Sequence, residues 1–341
     1  SGQFASRQEI YSIDESFLDF TGMDKTTLNQ HATQLKERIF QWIGIPVAVG
    51  IGSSKTQAKL ANHLAKVMPN CQGVFDLNQM SETTRNTVYK TIKVSKVWGV
   101  GKRLAAQLNA QEIHTVYDLI SLNPKTLRKQ FSINVERIVL ELNGQACLGF
   151  HESPANKQNI VSSRSFGRNV TEFNAMRQAV SSYTAIAAEK LRKQNSTCKA
   201  ISVSITTPPY QSQLSQYANQ FTMPLVYPSD STILLTKIAL HALKKIWQPG
   251  YQYQKASVML LNIQENQSLQ IDLFASNPNY SGNPKSDNLM QVLDKINQKM
   301  GKNTLQLASS GLQKQDWKMN RNLMSARYTT RWDELLMVKA N

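Results

Sequence analysis

The sequence predicts an α+β protein of several domains. Its 341 residues allow two or three domains at roughly 150 residues each. Strand-like and helix-like patterns are mixed on either side of an all-helical stretch from Ser81 to about Asn143. Charge is also unevenly spread: residues 1–76 hold 7 basic and 7 acidic groups, 77–150 hold 10 and 5, 151–265 hold 12 and 5, and 266–341 hold 10 and 6.

Taken in order, Glu9 to Phe20 alternates around a polar turn and predicts two short strands. Leu28 to Trp42 repeats at helical spacing, and Pro46 to Ile51 reads as a buried β-branched strand. Ser53 or Ser54 caps a helix reaching about Met68. After the helical stretch come strand Ile160–Val170, helix Glu172–Lys193, strands Lys199–Thr206 and Gln216–Met223, helix Thr232–Trp247 and strand Lys255–Ile263. That order, β-α-β-β-α-β, predicts a small open sheet with two helices on one face. Residues Ser276 to Ser286 read as a linker, and Leu289 to Met300 as a helix.

Composition narrows the function classes. Hydrophobic residues make up 41% and charged residues 18%, with 11 Tyr and 11 Phe, which supports packed cores. The net charge of +16 points to a polyanionic partner, nucleic acid or an anionic membrane. The longest uncharged stretch, Ala200 to Ser229, is polar and broken by Pro208, Pro209, Pro224 and Pro228; the more apolar Ile39 to Ser54 is short and contains Pro46. Neither suits a membrane span. The polar opening residues give no apolar signal segment, so a cytoplasmic protein without membrane contact is the expectation. Cys71, Cys147 and Cys198 stand too far apart for a zinc ligand cluster and are odd in number for a disulfide framework.

Asp14 and Glu15 stand side by side at the strand turn of Tyr11-Ser12-Ile13-Asp14-Glu15-Ser16-Phe17-Leu18-Asp19-Phe20. Adjacent acids are costly unless a cation lies between them, and phosphoryl transfer with two Mg²⁺ ions uses such carboxylates. An isolated pair of this kind also occurs on solvated turns. Lys55, Lys59, Asn62 and Lys66 recur on one helical face, opposite Ala58, Ala61, Leu64, Ala65 and Met68. On spacing alone the stripe reads equally as a solvated lysine face. The preceding Gly50-Ile51-Gly52-Ser53-Ser54-Lys55 lacks Walker A spacing. Val97-Trp98-Gly99-Val100-Gly101-Lys102-Arg103-Leu104 opens a helix through a glycine turn whose N–H groups can face a phosphate, with Lys102 and Arg103 as backbone contacts. It resembles a helix-hairpin-helix. Arg164 and Arg168 share one strand face with Phe166, so two guanidinium groups could span a DNA strand.

The Tyr11–Phe20 decapeptide resembles the SIDE active-site motif of Y-family translesion DNA polymerases, and the order and spacing of the remaining chain agree over essentially all 341 residues. The resemblance implies a partial palm at 1–76, a helical thumb at 77–150, a little finger at 151–265 and a clamp-binding segment with a family tail at 266–341. It implies that Asp14 bridges two Mg²⁺ ions, that Glu15 ligates the catalytic one, and that Lys66, then Lys59, contacts the incoming triphosphate. Asp19 reads as structural. Gln270-Ile271-Asp272-Leu273-Phe274 resembles the bacterial sliding-clamp pentapeptide, with Gln270, Leu273 and Phe274 as contacts.

By the same resemblance the chain takes a primer-template and a dNTP in error-prone synthesis during the SOS response, with a UmuD′ dimer and a RecA filament as partners. The family also carries a third metal-binding Asp on a first strand, near an aromatic sugar-selecting residue. No segment here matches that strand or the fingers, so the expectation is that this chain alone does not polymerise. The alternative is a non-catalytic fragment binding DNA and the clamp. A two-metal nuclease is a weaker reading, because no histidine or further acid cluster supports hydrolysis.

Overall fold

In this computed structural model, residues 3–24, 26–150, 156–211, 213–266, 284–311, 315, 317–320, 323–328 and 330–338 are described. The chain divides into two compact units, 1–155 and 156–341.

In the first unit, β1 (Arg7–Ile10) pairs antiparallel with β2 (Ser16–Asp19), and the turn closes through Tyr11 and Ser12 N–H groups donating to the Glu15 carbonyl. Helix α1 (Leu28–Ile43) ends where Gly44 takes φ +73°, the left-handed cap that glycine adopts without strain. Strand β3 (Val49–Ile51) is followed by α2 (Lys55–Val67) and by β4 (Val74–Asp76), which lies parallel to β3. The sequence reading does not contain β4: three residues are too few to show a period. Helix α2 is capped by the Ser54 hydroxyl, which accepts from Gln57 N–H. It lies so close over β3 that a side chain at Gly50 would run into the backbone of Ala58, Ala61 and Asn62.

Five helices follow: α3 (Glu82–Thr91), α4 (Lys102–Asn109), α5 (Val116–Ile120), α6 (Pro124–Gln130) and α7 (Ile133–Leu142). Their short lengths follow from local chemistry. Thr115 and Asp118 form a capping box that starts α5, and Pro124 occupies the first turn of α6, where its missing N–H costs nothing. One apolar core crosses the boundary read at Asp76, joining Leu60, Leu64 and Phe75 to Tyr89, Leu108, Leu119 and Leu142.

The second unit contains β5 (Ile160–Val170), α8 (Phe173–Lys193), β6 (Ser196–Thr206), β7 (Ala218–Ser229), α9 (Thr232–Ile246) and β8 (Tyr253–Glu265). The element order is β-α-β-β-α-β, and the antiparallel sheet runs β5-β8-β6-β7. Ile201, Val203, Ile205, Val258 and Leu260 share a core with Met176, Tyr183 and Leu191 of α8 and Leu235 and Leu243 of α9. The alternate row, Ser163–Ser257–Ser204–Gln220, is short and polar.

Helix α10 (Pro284–Met300) starts earlier than Leu289, inside the stretch read as a linker. Pro284 suits a first helical turn, and a polar first turn carries no apolar period to announce it. Arg192 of α8 grips Asp294 of α10 with two hydrogen bonds of 2.7 and 2.8 Å. Beyond α10, Ser309 and Ser310 meet Ser181, and Trp317 packs edge-on against Tyr183 with ring centres 5.7 Å apart. The backbone of Lys318–Asn320 lies against Gly167, where a Cβ would clash. Ser309 and Ser310 thus bond to α8, and Trp317 joins the unit's core.

Candidate active site

The β1–β2 turn holds Asp14 at an exposed tip. The Ser12 hydroxyl donates to Asp14 Oδ1 at 2.6 Å, and this bond is the main cause of a pKa below the ordinary carboxylate value, aided by the charges of Lys66 and Lys59. Asp14 is therefore ionised across the physiological range. Glu15 is half-buried and pairs with Lys59 Nζ at 2.6 Å. Lys55 pairs with Glu9 at 2.5 Å and donates to the Gly149 carbonyl at 2.6 Å. One face of α2 thus lines the hairpin with three cations: Lys55 and Lys59 bonded to it, and Lys66 exposed beside it. Asn62, read on the same face, instead donates to the Ala48 carbonyl. His63 is half-buried, and desolvation, with Lys96 and Lys66 nearby, lowers its pKa.

Aromatic rings floor the hairpin. Lys55 lies over Phe17 and Lys59 over Tyr11, at 5.2 and 5.6 Å from the ring centres. Trp98 stacks edge-on to Tyr11 and donates its indole N–H to the Tyr11 hydroxyl at 3.1 Å. Trp98 carries no role in the sequence motif, although a Trp opening a glycine turn is a visible signal. Gly99 takes φ +88°, and a Cβ there would press on Ile138 at 2.9 Å. Helix α4 begins at Lys102 with no side-chain cap, so its first N–H groups suit a phosphate; Gly101, Lys102 and Arg103 are exposed.

Asp19 lies at the far end of β2, away from the tip. The Thr21 hydroxyl and N–H, then Arg7, hold its carboxyl down to about 2. A depressed carboxylate stabilises the fold fully above its unfolded pKa, and that contribution is lost as pH falls toward 2. Thr21→Val is expected to raise the Asp19 pKa toward 3.8 and so shrink this contribution, read by carboxyl-carbon NMR titration; an unmoved titration would refute the assignment.

In the second unit, Arg164 and Arg168 are exposed on edge strand β5. Arg164 pairs with Ala256, a core residue, and Phe166 enters the core, while the register shifts between Ser165 and Val170. Gln270, Leu273 and Phe274 lie outside the described residues.

Asp14 and Glu15 give an oxygen-only, anionic donor pair that fits a hard divalent cation in kind. Among the described residues, no group of three His, Cys, Asp or Glu stands close enough to hold a metal. No helix among them is long and apolar enough to cross a membrane.

The fold is that of the Y-family DNA polymerases. A solved Y-family DNA polymerase chimera, Dbh-Dpo4-Dbh, superimposes with a TM-score of 0.55 at 20% identity, covering 77% of this chain and 73% of that one. Residues 2–63 match the impB/mucB/samB family, 157–273 its C-terminal domain, and 287–338 a domain of unknown function, DUF4113. Protein UmuC of Salmonella typhimurium is 41% identical over 339 residues, 99% of this chain and 79% of that protein. Protein MucB of Escherichia coli is 41% identical over 330 residues, 96% of this chain and 76% of that protein. This chain belongs to the UmuC and MucB branch of the Y-family DNA polymerases, which are DNA-directed DNA polymerases that generally use divalent metals.

Proposed function

We propose that the chain serves error-prone translesion DNA synthesis in the SOS response, by nucleotidyl transfer to a primer 3′-OH on a damaged template. The observation that carries this is the exposed, ionised Asp14 at the tip of a hairpin lined by the α2 lysines. Asp14 and Glu15 would hold two Mg²⁺ ions, which when bound supply a lowered pKa for the attacking hydroxyl and charge neutralisation for the leaving pyrophosphate. Lys66 and Lys59 would set positive charge against the triphosphate oxygens, with Lys59, paired here with Glu15, exchanging that partner for phosphate as substrate enters.

Residues 77–150 serve as a helix-hairpin-helix thumb in which Gly99, Gly101, Lys102 and Arg103 hold backbone phosphates. Residues 151–265 serve as a little finger whose Arg164 and Arg168 hold the template strand. Resemblance supports a UmuD′ dimer and a RecA filament as partners, and a cytoplasmic, nucleoid-associated site of action.

The test is metal-dependent primer extension on lesion-bearing templates. The protein expressed from the whole reading frame, with its accessory partners, extends; the 341 residues expressed alone bind primer-template without extending, because two acids rather than three meet among the described residues. Extension by the 341 residues alone would overturn their inactivity. No extension by the former would favour the non-catalytic DNA- and clamp-binding reading.

The pentapeptide at Gln270–Phe274 tethers the chain to a sliding clamp, with Leu273 and Phe274 entering an apolar pocket. Replacing both by Ala is expected to abolish clamp pulldown; retained capture removes the tether.

A further inference from the structure

A buried carboxylate joins the lysine helix to the end of α7. Glu141 is 1% exposed, and both its oxygens are fully engaged. Oε2 accepts from the Thr56 N–H at 2.9 Å and the Thr56 hydroxyl at 2.7 Å, in the first turn of α2. Oε1 accepts from the N–H groups of Cys147 and Leu148 at 2.9 and 3.0 Å. The neighbouring backbone repeats the link: the Glu141 carbonyl accepts from Ser54 Oγ at 2.7 Å, and the Leu142 carbonyl from Gln57 Nε2 at 2.8 Å. Helix α2 has no acid of its own in its first turn, so Glu141 supplies the negative charge that its N-terminus favours.

The two arms of this carboxylate end beside the reaction centre. Through Thr56 it fixes the helix that carries Lys55, Lys59 and Lys66. Through Cys147 and Leu148 it fixes the segment whose next residue, Gly149, accepts from Lys55 Nζ, and whose Phe150 ring lies under that ammonium at 5.3 Å. A neutral residue cannot do both. A Gln side chain has one accepting oxygen, so its NH₂ would face either the two Thr56 donors or the two N–H groups of the 147–148 segment.

We propose that Glu141 is a positioning residue for nucleotide binding: it sets where the α2 lysines stand against the hairpin, and so how well the triphosphate is held. This rests on the polymerase reading above.

Two readouts on the protein from the whole reading frame test it. The first needs no activity: lysine-by-lysine reductive methylation followed by mass spectrometry. In Glu141→Gln, Lys55 and Lys59 should react about 3- to 10-fold faster, as expected when a partly buried charge-assisted bond is loosened, while Lys90, whose ammonium lies over the Tyr117 ring instead, is unchanged. The second is steady-state insertion: KM for dNTP should rise about 10-fold, with kcat and primer-template Kd within about 3-fold, as expected for lost substrate binding rather than lost chemistry.

Thr56→Val removes one donor and leaves the backbone arm intact, so it keeps the test alive if Glu141→Gln does not fold. It should shift both readouts in the same direction, with Thr56→Ser closer to the unsubstituted protein. Unchanged lysine reactivity and unchanged KM in a folded variant would overturn the proposal. So would kcat, KM and DNA affinity all worsening together with Lys90 equally exposed, since that is general loosening. If the unsubstituted protein inserts no nucleotide, the polymerase reading fails, and the methylation pattern alone decides for or against Glu141.

Discussion

Asp14→Ala is expected to cut primer extension by about 10³-fold or more, roughly 4 kcal/mol of transition-state stabilisation, in the protein from the whole reading frame. Primer-template affinity should stay within a factor of about two, because Asp14 is exposed and its removal leaves no buried donor behind. Asp14→Asn is the sharper variant. The Ser12 hydroxyl at 2.6 Å can still donate to an amide oxygen, so the turn keeps its shape and only the charge is lost. If charge is what matters, Asn falls nearly as far as Ala. Asn retaining most of the activity would show that the turn, not the carboxylate, is needed.

The second large effect is on stability. Trp317→Ala should destabilise residues 156–341 by about 3–5 kcal/mol, the usual cost of removing a buried aromatic, and lower that unit's unfolding midpoint by about 10 °C. Trp317 is 4% exposed and packs on Tyr183 within the core. Its indole N–H is buried and has no partner among the described residues, so Trp317→Phe should recover a large part of the loss. Calorimetry of the chain reads both changes. A midpoint unmoved by Trp317→Ala would show that the Trp317 ring rests on the unit without supporting it.

Much of the second unit was legible because its signals are local. Ile160–Val170 and Lys193, the end of α8, fall where period and polarity change, and long strands give enough residues to show alternation. The hairpin was legible for the same reason, since Tyr11 to Phe20 alternates on both sides of its acids. What stayed hidden was set by distant contacts. Strand β4 exists because three residues find β3 across α2, and no three-residue window announces a partner 25 residues away. Glu141 sits in an ordinary helical sequence, and only the fold brings Thr56, Cys147 and Leu148 to it. Pairing also changed the α2 face: Asn62 stands in the lysine repeat but binds the Ala48 carbonyl.

The way Trp317 and Ser310 fill the side of α8 bears on how shortened versions of this protein should be interpreted. A stop codon placed before Trp317 would strip a greasy surface bare, and the product would fall prey to proteases or precipitate in the cell. A mutability defect in such a strain would then record a missing protein and say nothing about a severed handshake with a partner.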